Sequence, residues 1–373
     1  MGRHQILVHG AGRMAHAIAN TLAVDPRYAV LLSAPDPEPG HSTLPLLPSV
    51  QRTVANLSAA PDGQLSGLSA IIMAGDVWAN TTDIARIAHD VGCHYLDISE
   101  NPGSTAEIAR LAEGARQCFV PACGLAPGYV TALTAERMRS AGPGAQVTAH
   151  VGVLPTRRVN RLGYGNLLGI DGLLVEYFSP CLAIREGRQV TLSPLAELES
   201  VVLAGEAFES FTTAGSLDAL VRAPEVAVDG LVFKTLRYPG HLDYMRFLID
   251  DLGLAQRRHQ LRSLLMNGLP PIDEDRVLIA LDIIRADGAR EWFEQVIPMQ
   301  PGPDGAWCSA GVMATAAHVC AMADLLCRGV LNRAGFLSQA AVSPRLLEQS
   351  PFFAPLAIAA VGAGADKNSI AYG

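Results

Sequence analysis

The stretch Gln5-Ile6-Leu7-Val8-His9, followed by Gly10-Ala11-Gly12-Arg13-Met14-Ala15, decides how this chain is read. A short apolar run that suits a buried strand meets a glycine-rich turn, and His16 to Ala23 continues as an alanine-rich helix. The pattern is G-x-G-x-x-A. Its first glycine permits the tight turn, its second lets a pyrophosphate approach the backbone, and the small Ala15 allows close helix–strand packing. The free N–H groups at the helix start offer themselves to an anion. In this strand–turn–helix context the motif predicts a dinucleotide site at Gly10, Gly12, Arg13 and Met14. The plainer alternative is a glycine turn that holds no ligand.

A second strand, Tyr28 to Ser33, ends about 20 residues past the glycines, where such folds place an acid on the ribose hydroxyls. Here Ala34 holds that position and Asp36 comes two residues late. Pro35, Pro37, Pro39, Pro45 and Pro48 then forbid the usual second helix. Further strands are predicted at Ser66 to Ala74, Cys93 to Ile98 and Cys118 to Ala122, with helices at Asn80 to Val91 and Ser104 to Ala115. Strand alternating with helix means a parallel sheet wound on both faces, a Rossmann-type α/β domain. Ligands bind at the carboxyl ends of its strands, so Gly75, Asp97 to Glu100 and Gly124 share a rim with the glycine turn.

Past residue 128 the pattern changes. After a helix from Tyr129 to Ser140, strands are expected at Gln146 to Leu154, Gln189 to Leu192 and Leu231 to Leu236. A hairpin is expected where Arg276 to Arg285 turns through Asp287-Gly288 into Arg290 to Met299. This reads as a second, mixed α+β domain, largely antiparallel. Gly311 to Arg328 is a long alanine-rich helix closed by Gly329. The expected division is 1–127 for dinucleotide binding, 128–307 for substrate and dimerisation, and 308–373 as a C-terminal segment.

Bulk properties narrow the classes. With 373 residues, 49% hydrophobic and 17% charged, the chain suits two globular domains. A formal net charge of −8 argues against nucleic acid or an anionic membrane as partner. Seven cysteines without a C-x-x-C pair suggest reduced thiols and a cytoplasmic setting. Met1-Gly2-Arg3-His4 leads straight into the first strand, so no signal peptide is expected. Phe352 to Gly364, interrupted by Pro355 and glycines, is too short to span a bilayer and reads as packing surface. No His, Cys or Asp grouping has metal-ligand spacing, and neither a serine elbow nor a P-loop appears.

Several stretches resemble the saccharopine dehydrogenase/reductase-like family, and within it the lysine 6-dehydrogenases. They are Cys123-Gly124-Leu125-Ala126-Pro127-Gly128, Val151-Gly152-Val153-Leu154-Pro155, Asp171-Gly172-Leu173-Leu174 with Tyr177 and Pro180, Phe211-Thr212-Thr213-Ala214-Gly215, and Lys234-Thr235-Leu236-Arg237-Tyr238-Pro239-Gly240-His241. With the glycine turn they run from residue 6 to about 330. The resemblance implies a Rossmann domain, a mixed substrate domain, and a C-terminal helix that returns to the first. It also implies a homodimer that interconverts amines and imines with NAD or NADP, on an amino acid or amine substrate. Lysine side-chain deamination is one implied reaction, and imine reduction of the saccharopine or carboxynorspermidine kind is the other. A nucleotide-sensing protein without catalysis is a third reading, suggested by the trimmed adenine side. The missing acid after the second strand and the individual loop from Thr156 to Gly169 depart from the family pattern.

Candidate residues follow from chemistry. The guanidinium of Arg237 suits a bidentate grip on a carboxylate, and His241 suits proton transfer near neutral pH; a turn that merely holds the domain together is the competing account, with Tyr238 in the same run. Asp97 and Glu100 could orient an ammonium or act as base, or an Asp could cap the following helix. Glu176 could hold a distal amine, or sit on a solvated helix face. Tyr164, Thr212 and Thr213 are further substrate-side candidates. Cys123, His9, His16 and His318 read as packing residues.

Overall fold

The computed structural model describes residues 3–34, 44–53, 56–57, 60, 63, 65–75, 81–99, 101–166, 169–222, 227–272 and 274–357; the candidates Asp36 and Glu100 lie outside them. The elements run β1 (His4–His9), α1 (Arg13–Ala23), β2 (Tyr28–Ser33), β3 (Val50–Arg52), β4 (Leu68–Met73), α2 (Thr81–Val91), β5 (His94–Asp97), α3 (Pro102–Leu111), β6 (Cys118–Val120) and α4 (Tyr129–Ala141). They continue with β7 (Gln146–Pro155), α5 (Ile170–Phe178), β8 (Cys181–Arg185), β9 (Arg188–Leu192), β10 (Glu199–Leu203), β11 (Glu206–Thr212), α6 (Asp218–Arg222), β12 (Gly230–Arg237), α7 (His241–Arg246) and α8 (Arg258–Gly268). Last come β13 (Asp275–Ile284), β14 (Arg290–Pro298), the short pair β15 (Gln300–Pro301) and β16 (Trp307–Cys308), α9 (Ala310–Cys327), β17 (Gly335–Phe336) and α10 (Pro344–Leu347).

Two compact units result. The first comprises residues 1–133, 300–308 and 312–357, and the second 134–299 and 309–311, apart from residues beyond 357. In the first, seven strands pair in the order β17-β6-β5-β4-β1-β2-β3, every neighbour parallel. Ile6, Leu7 and Val8 have no exposed surface, as befits a central strand covered on both faces. Leu7, Ile71, Met73 and Tyr95 alternate onto one face and pack with Ile84, Ala85 and Ala88 of α2 and Ile108 of α3. Helix α3 starts at Pro102, ahead of the expected Ser104. The cause is Asn101, whose side chain accepts from the N–H groups of Gly103 and Ser104.

The C-terminal stretch is built into this unit. Gly335 and Phe336 pair with Cys118 and Phe119 to extend the sheet. On α9 the fully buried Asp324 accepts from the Tyr28 hydroxyl and from Arg328. Helix α9 is long and apolar enough to span a membrane by composition, yet almost all of it is buried. Phe352, Phe353 and Leu356 are buried in a 3-10 turn, so the stretch expected as packing surface does pack where it is described.

The second unit is a mixed sheet ordered β10-β11-β12-β7-β13-β14, with β8 added to β12 and β9 to β8. Among the described strands of this unit, β12 and β7 alone pair parallel. The β13–β14 hairpin has Ile284 opposite Arg290, and Gly288 takes the positive φ of 84° that closes it. Asp275, fully buried at the start of β13, accepts from Ser309 Oγ at 2.7 Å and from the N–H groups of Ala310 and Gly311 at 2.6 and 3.1 Å. This caps the first turn of α9 from a distant strand. All seven cysteines are free thiols.

Candidate functional site

In the first unit the glycine turn is dictated by space. A Cβ on Gly10, whose φ is +153°, would lie 2.6 Å from the Ala74 carbonyl oxygen, so any side chain there pushes β1 and β4 apart. Gly12 is the N-cap of α1 and has the opposite surroundings: a Cβ there would meet nothing within 4 Å. The helix starts with no side-chain cap and no acidic residue in its first turn. The half-buried Arg13 and Met14 are its first two residues. Open space at Gly12, and a helix start with no side-chain cap there and no acid in its first turn, fit the pyrophosphate of a dinucleotide.

The rim beside this turn is described at Ala34, Gly75, Asp97 and Gly124. Gly10 N–H donates to the Ser33 carbonyl at 2.9 Å, which brings Ala34 alongside the turn. Gly75 follows Ala74, whose N–H donates to the His9 carbonyl at 2.8 Å. Gly124 belongs to a tight loop in which its N–H donates to the Pro127 carbonyl at 3.0 Å. A Cβ on Gly128 would fall 1.9 Å from the Gly124 oxygen, so that glycine is obligatory.

Asp97 is almost wholly buried at the end of β5. Its Oδ1 accepts from Ser99 N–H at 2.9 Å and from Ala122 N–H at 3.1 Å. Ala122 has a positive φ of 54°, unusual for a residue with a Cβ. Asp97 therefore clamps the β6–α4 turn onto β5, and Asn101 caps α3 in its stead. Burial pushes the carboxyl up to about 6, against the backbone N–H bonds that hold it down. The buried Cys123 thiol is raised by desolvation, which suits an inert packing residue.

In the second unit, Arg237 ends β12 and is buried. Its Nε donates to Tyr177 Oη at 2.9 Å, while Nη1 donates to Thr235 Oγ1 at 2.6 Å and to the Leu236 carbonyl at 2.9 Å. Nη2 reaches Glu176 Oε2 at 3.4 Å. The guanidinium lies over the Tyr164 ring, 4.9 Å from its centroid. The fork expected for a carboxylate is thus engaged within the protein, and Nη2 alone retains donor capacity.

The position of each proton follows. An Arg Nε–H only donates, so Tyr177 accepts there and passes its own proton to His241 Nε2 at 2.8 Å. The Leu162 carbonyl only accepts, so His241 Nδ1 carries the hydrogen that meets it at 2.9 Å. Both ring nitrogens are engaged. Burial, and then the nearby Arg237 charge, push His241 down to about 3. His241, the candidate for proton transfer near neutral pH, is in this structure the neutral end of the chain Arg237–Tyr177–His241.

Other candidates separate. Tyr238 donates its hydroxyl to the Pro155 carbonyl at 2.8 Å and accepts from Arg276, away from the Arg237 network. Thr212 Oγ1 donates to the Ser193 carbonyl at 2.8 Å and secures a loop. Glu176 keeps about a third of its side chain exposed (31%) beside the buried guanidinium. Burial raises its carboxyl and Arg237 opposes that rise. Tyr164 stands edge-on to the His241 ring, and its hydroxyl makes no hydrogen bond among the described residues. Thr213 Oγ1 is buried without a partner, and the next residue's N–H donates to the Glu176 carbonyl at 3.0 Å.

Glu209 escaped the sequence reading. It faces Arg237 in the β11–β12 register but accepts from Gly240 N–H at 2.8 Å and Leu242 N–H at 2.5 Å, capping α7 and fixing His241. The available signal was a charge inside Phe208-Glu209-Ser210-Phe211, a run with no solvated face. Among the described residues no three His, Cys, Asp or Glu side chains converge on a metal position.

A parallel sheet with strand order β3-β2-β1-β4-β5-β6 and a glycine turn after its first strand is a Rossmann-type fold. No protein-family model matches the sequence. The structure is similar to saccharopine dehydrogenase (L-Glu forming) from Saccharomyces cerevisiae, with a TM-score of 0.70 and 16% identity over 92% of this chain and 95% of that one. At this identity the shared property is the fold. An engineered D-amino acid dehydrogenase bound to NADP+ aligns with a TM-score of 0.48 and 12% identity over 94% and 96% of the two chains. DAP dehydrogenase of C. glutamicum in complex with DAP gives 0.47 and 11% over 94% and 97%.

Proposed function

We propose that this chain is an NAD(P)-dependent oxidoreductase acting at a C–N bond of an amino acid or amine. Oxidative deamination of a side-chain amine, as in the lysine 6-dehydrogenases it resembles, is the particular reaction. The observation that carries the reading is Gly12, an N-cap with open space above it on an uncapped, acid-free helix start. The similarity of fold to a saccharopine dehydrogenase agrees with it. The nicotinamide supplies hydride acceptance when bound; Gly10, Gly12, Arg13 and Met14 are the residues for its pyrophosphate.

On the substrate side, this chain's own groups favour an amine over a carboxylate. The Arg237 fork is engaged, whereas Glu176 keeps an accessible carboxylate and Tyr164 an uncommitted hydroxyl. An ammonium would meet the Glu176 carboxyl, which burial raises and the Arg237 charge pulls back down. A carboxylate on the same substrate has Arg237 Nη2 for a single contact. A homodimer is part of the same proposal.

The test pairs cofactor binding with an absorbance assay at 340 nm over a panel of amino acids and diamines, on the intact chain. The expected result is reduction of NAD or NADP by a substrate carrying a distal amine, lost in Glu176→Gln with cofactor binding retained. Cofactor binding with no turnover in either direction would favour the sensing alternative.

A further inference from the structure

The Rossmann reading leaves the adenosine ribose without the acid that usually holds it, because Ala34 follows the second strand. At that same strand end lies a pair of polar side chains. His9 closes β1, Ser33 closes β2, and the two are register partners. His9 Nδ1 and Ser33 Oγ are 3.0 Å apart, with Ser33 fully buried and His9 half-buried. The serine tether fixes the ring, and among the described residues its other nitrogen has no hydrogen-bond partner. Burial lowers the His9 pKa. A tethered, uncharged imidazole at the mouth of the first two strands is an unusual thing to place beside a pyrophosphate turn.

Resting on the nucleotide reading above, we infer that His9, held by Ser33, takes the place of the missing acid and contacts the 2′ position of the adenosine ribose. Imidazole can exchange a hydrogen bond with a 2′-hydroxyl. Against a 2′-phosphate it can take up a proton and donate as a cation, whereas a protonated carboxyl is at most neutral. The pair therefore accounts for a site with neither an acid that excludes NADP nor a lysine or arginine directly after the strand that demands it.

The experiment is a fluorescence titration of the intact chain with NADH, NADPH and the 2′-deoxyadenosine form of NADH. For His9→Leu the dissociation constant should rise about 3- to 10-fold for NADH and more than about 10-fold for NADPH, as a neutral and a charge-assisted bond are lost. Binding of the deoxy analogue should not change, and His9→Gln should restore part of the NADH affinity. If His9→Leu fails to fold, Ser33→Ala carries the test and should weaken NADH selectively over the deoxy analogue. Parental affinity for NADH and NADPH, or an equal loss for all three probes, overturns the inference while leaving the cofactor reading intact. Wild-type protein that binds none of the three overturns both.

Discussion

Tyr177 donates its hydroxyl proton to Nε2 of His241 across 2.8 Å, a direction imposed by the Arg237 Nε–H that it accepts on its other side. Tyr177→Phe would leave Arg237 Nε and His241 Nε2 buried without partners, at a cost of about 1–3 kcal/mol each. The expected outcome is a clearly lowered melting temperature, a substrate KM raised about tenfold or more, and an unchanged cofactor Kd. A lowered melting temperature with normal KM would assign the relay to folding alone.

Arg237→Lys keeps the charge but cannot reproduce three directed bonds to Tyr177, Thr235 and Leu236. We expect loss of stability and a weaker amine requirement at Glu176, with cofactor affinity unaltered. Thermal unfolding together with kinetics checks this; a variant with parental stability and kinetics would show the bonds to be dispensable.

Glu209→Ala removes the cap of α7 and leaves the N–H groups of Gly240 and Leu242 unsatisfied. Its loss frees His241, the first residue of that helix. Nitrogen NMR of the imidazole should show His241 no longer confined to the Nδ1–H tautomer. Persistence of that tautomer in the folded variant would separate Glu209 from the relay.

Asp97 gives a pH signature. Its carboxyl titrates at about 6 in the fold, against an unfolded value near ~3.9, so between those values the folded chain holds a proton that the unfolded chain releases. Its contribution to stability is most favourable below pH ~4 and declines as pH rises through about 6. Asp97→Asn keeps an acceptor for Ser99 and Ala122 but does not titrate. Relative to wild type, the variant should be more stable at pH 7.5 than at pH 4.5, by several degrees in Tm. A pH-independent difference would mean the carboxyl is unperturbed.

The two glycines of the turn should fail differently. Gly10→Val, with backbone 2.6 Å from the new Cβ, should unfold or strongly destabilise the chain. Gly12→Val meets open space, so it should fold with a near-parental Tm and lose nucleotide affinity by about two orders of magnitude or more. Circular dichroism and a binding titration distinguish the outcomes. Parental affinity in folded Gly12→Val would remove the pyrophosphate from this turn.

The first unit was legible because its strands are continuous apolar runs cut by glycine and proline. Tyr28 to Ser33 is such a run, and its expected bounds match β2. Gly335–Phe336 could not be read as a strand, since two residues have no period and the pairing is set by distant β6. In the second unit, α5 has apolar residues around most of its circumference and a glycine at position 172, so periodicity gave no helix signal. Arg237 was visible as a candidate, but its partners Tyr177 and Glu176 come from another element, and spacing cannot say that they consume its fork. Asp97 stood out as a rim carboxylate, whereas its bond to Ala122 depends on a turn 25 residues on.

The chain leaves its first unit at residue 133 and returns at 300, and β17 then adds the outermost strand beside β6. A nascent chain that has emerged only to the end of β14 consequently presents β6 as an unpaired sheet edge, the template on which foreign strands add. It also lacks Asp324, so the Tyr28 hydroxyl is left without its acceptor. Closure must wait for contacts between the two ends of the sequence, which slows folding through loop-closure entropy.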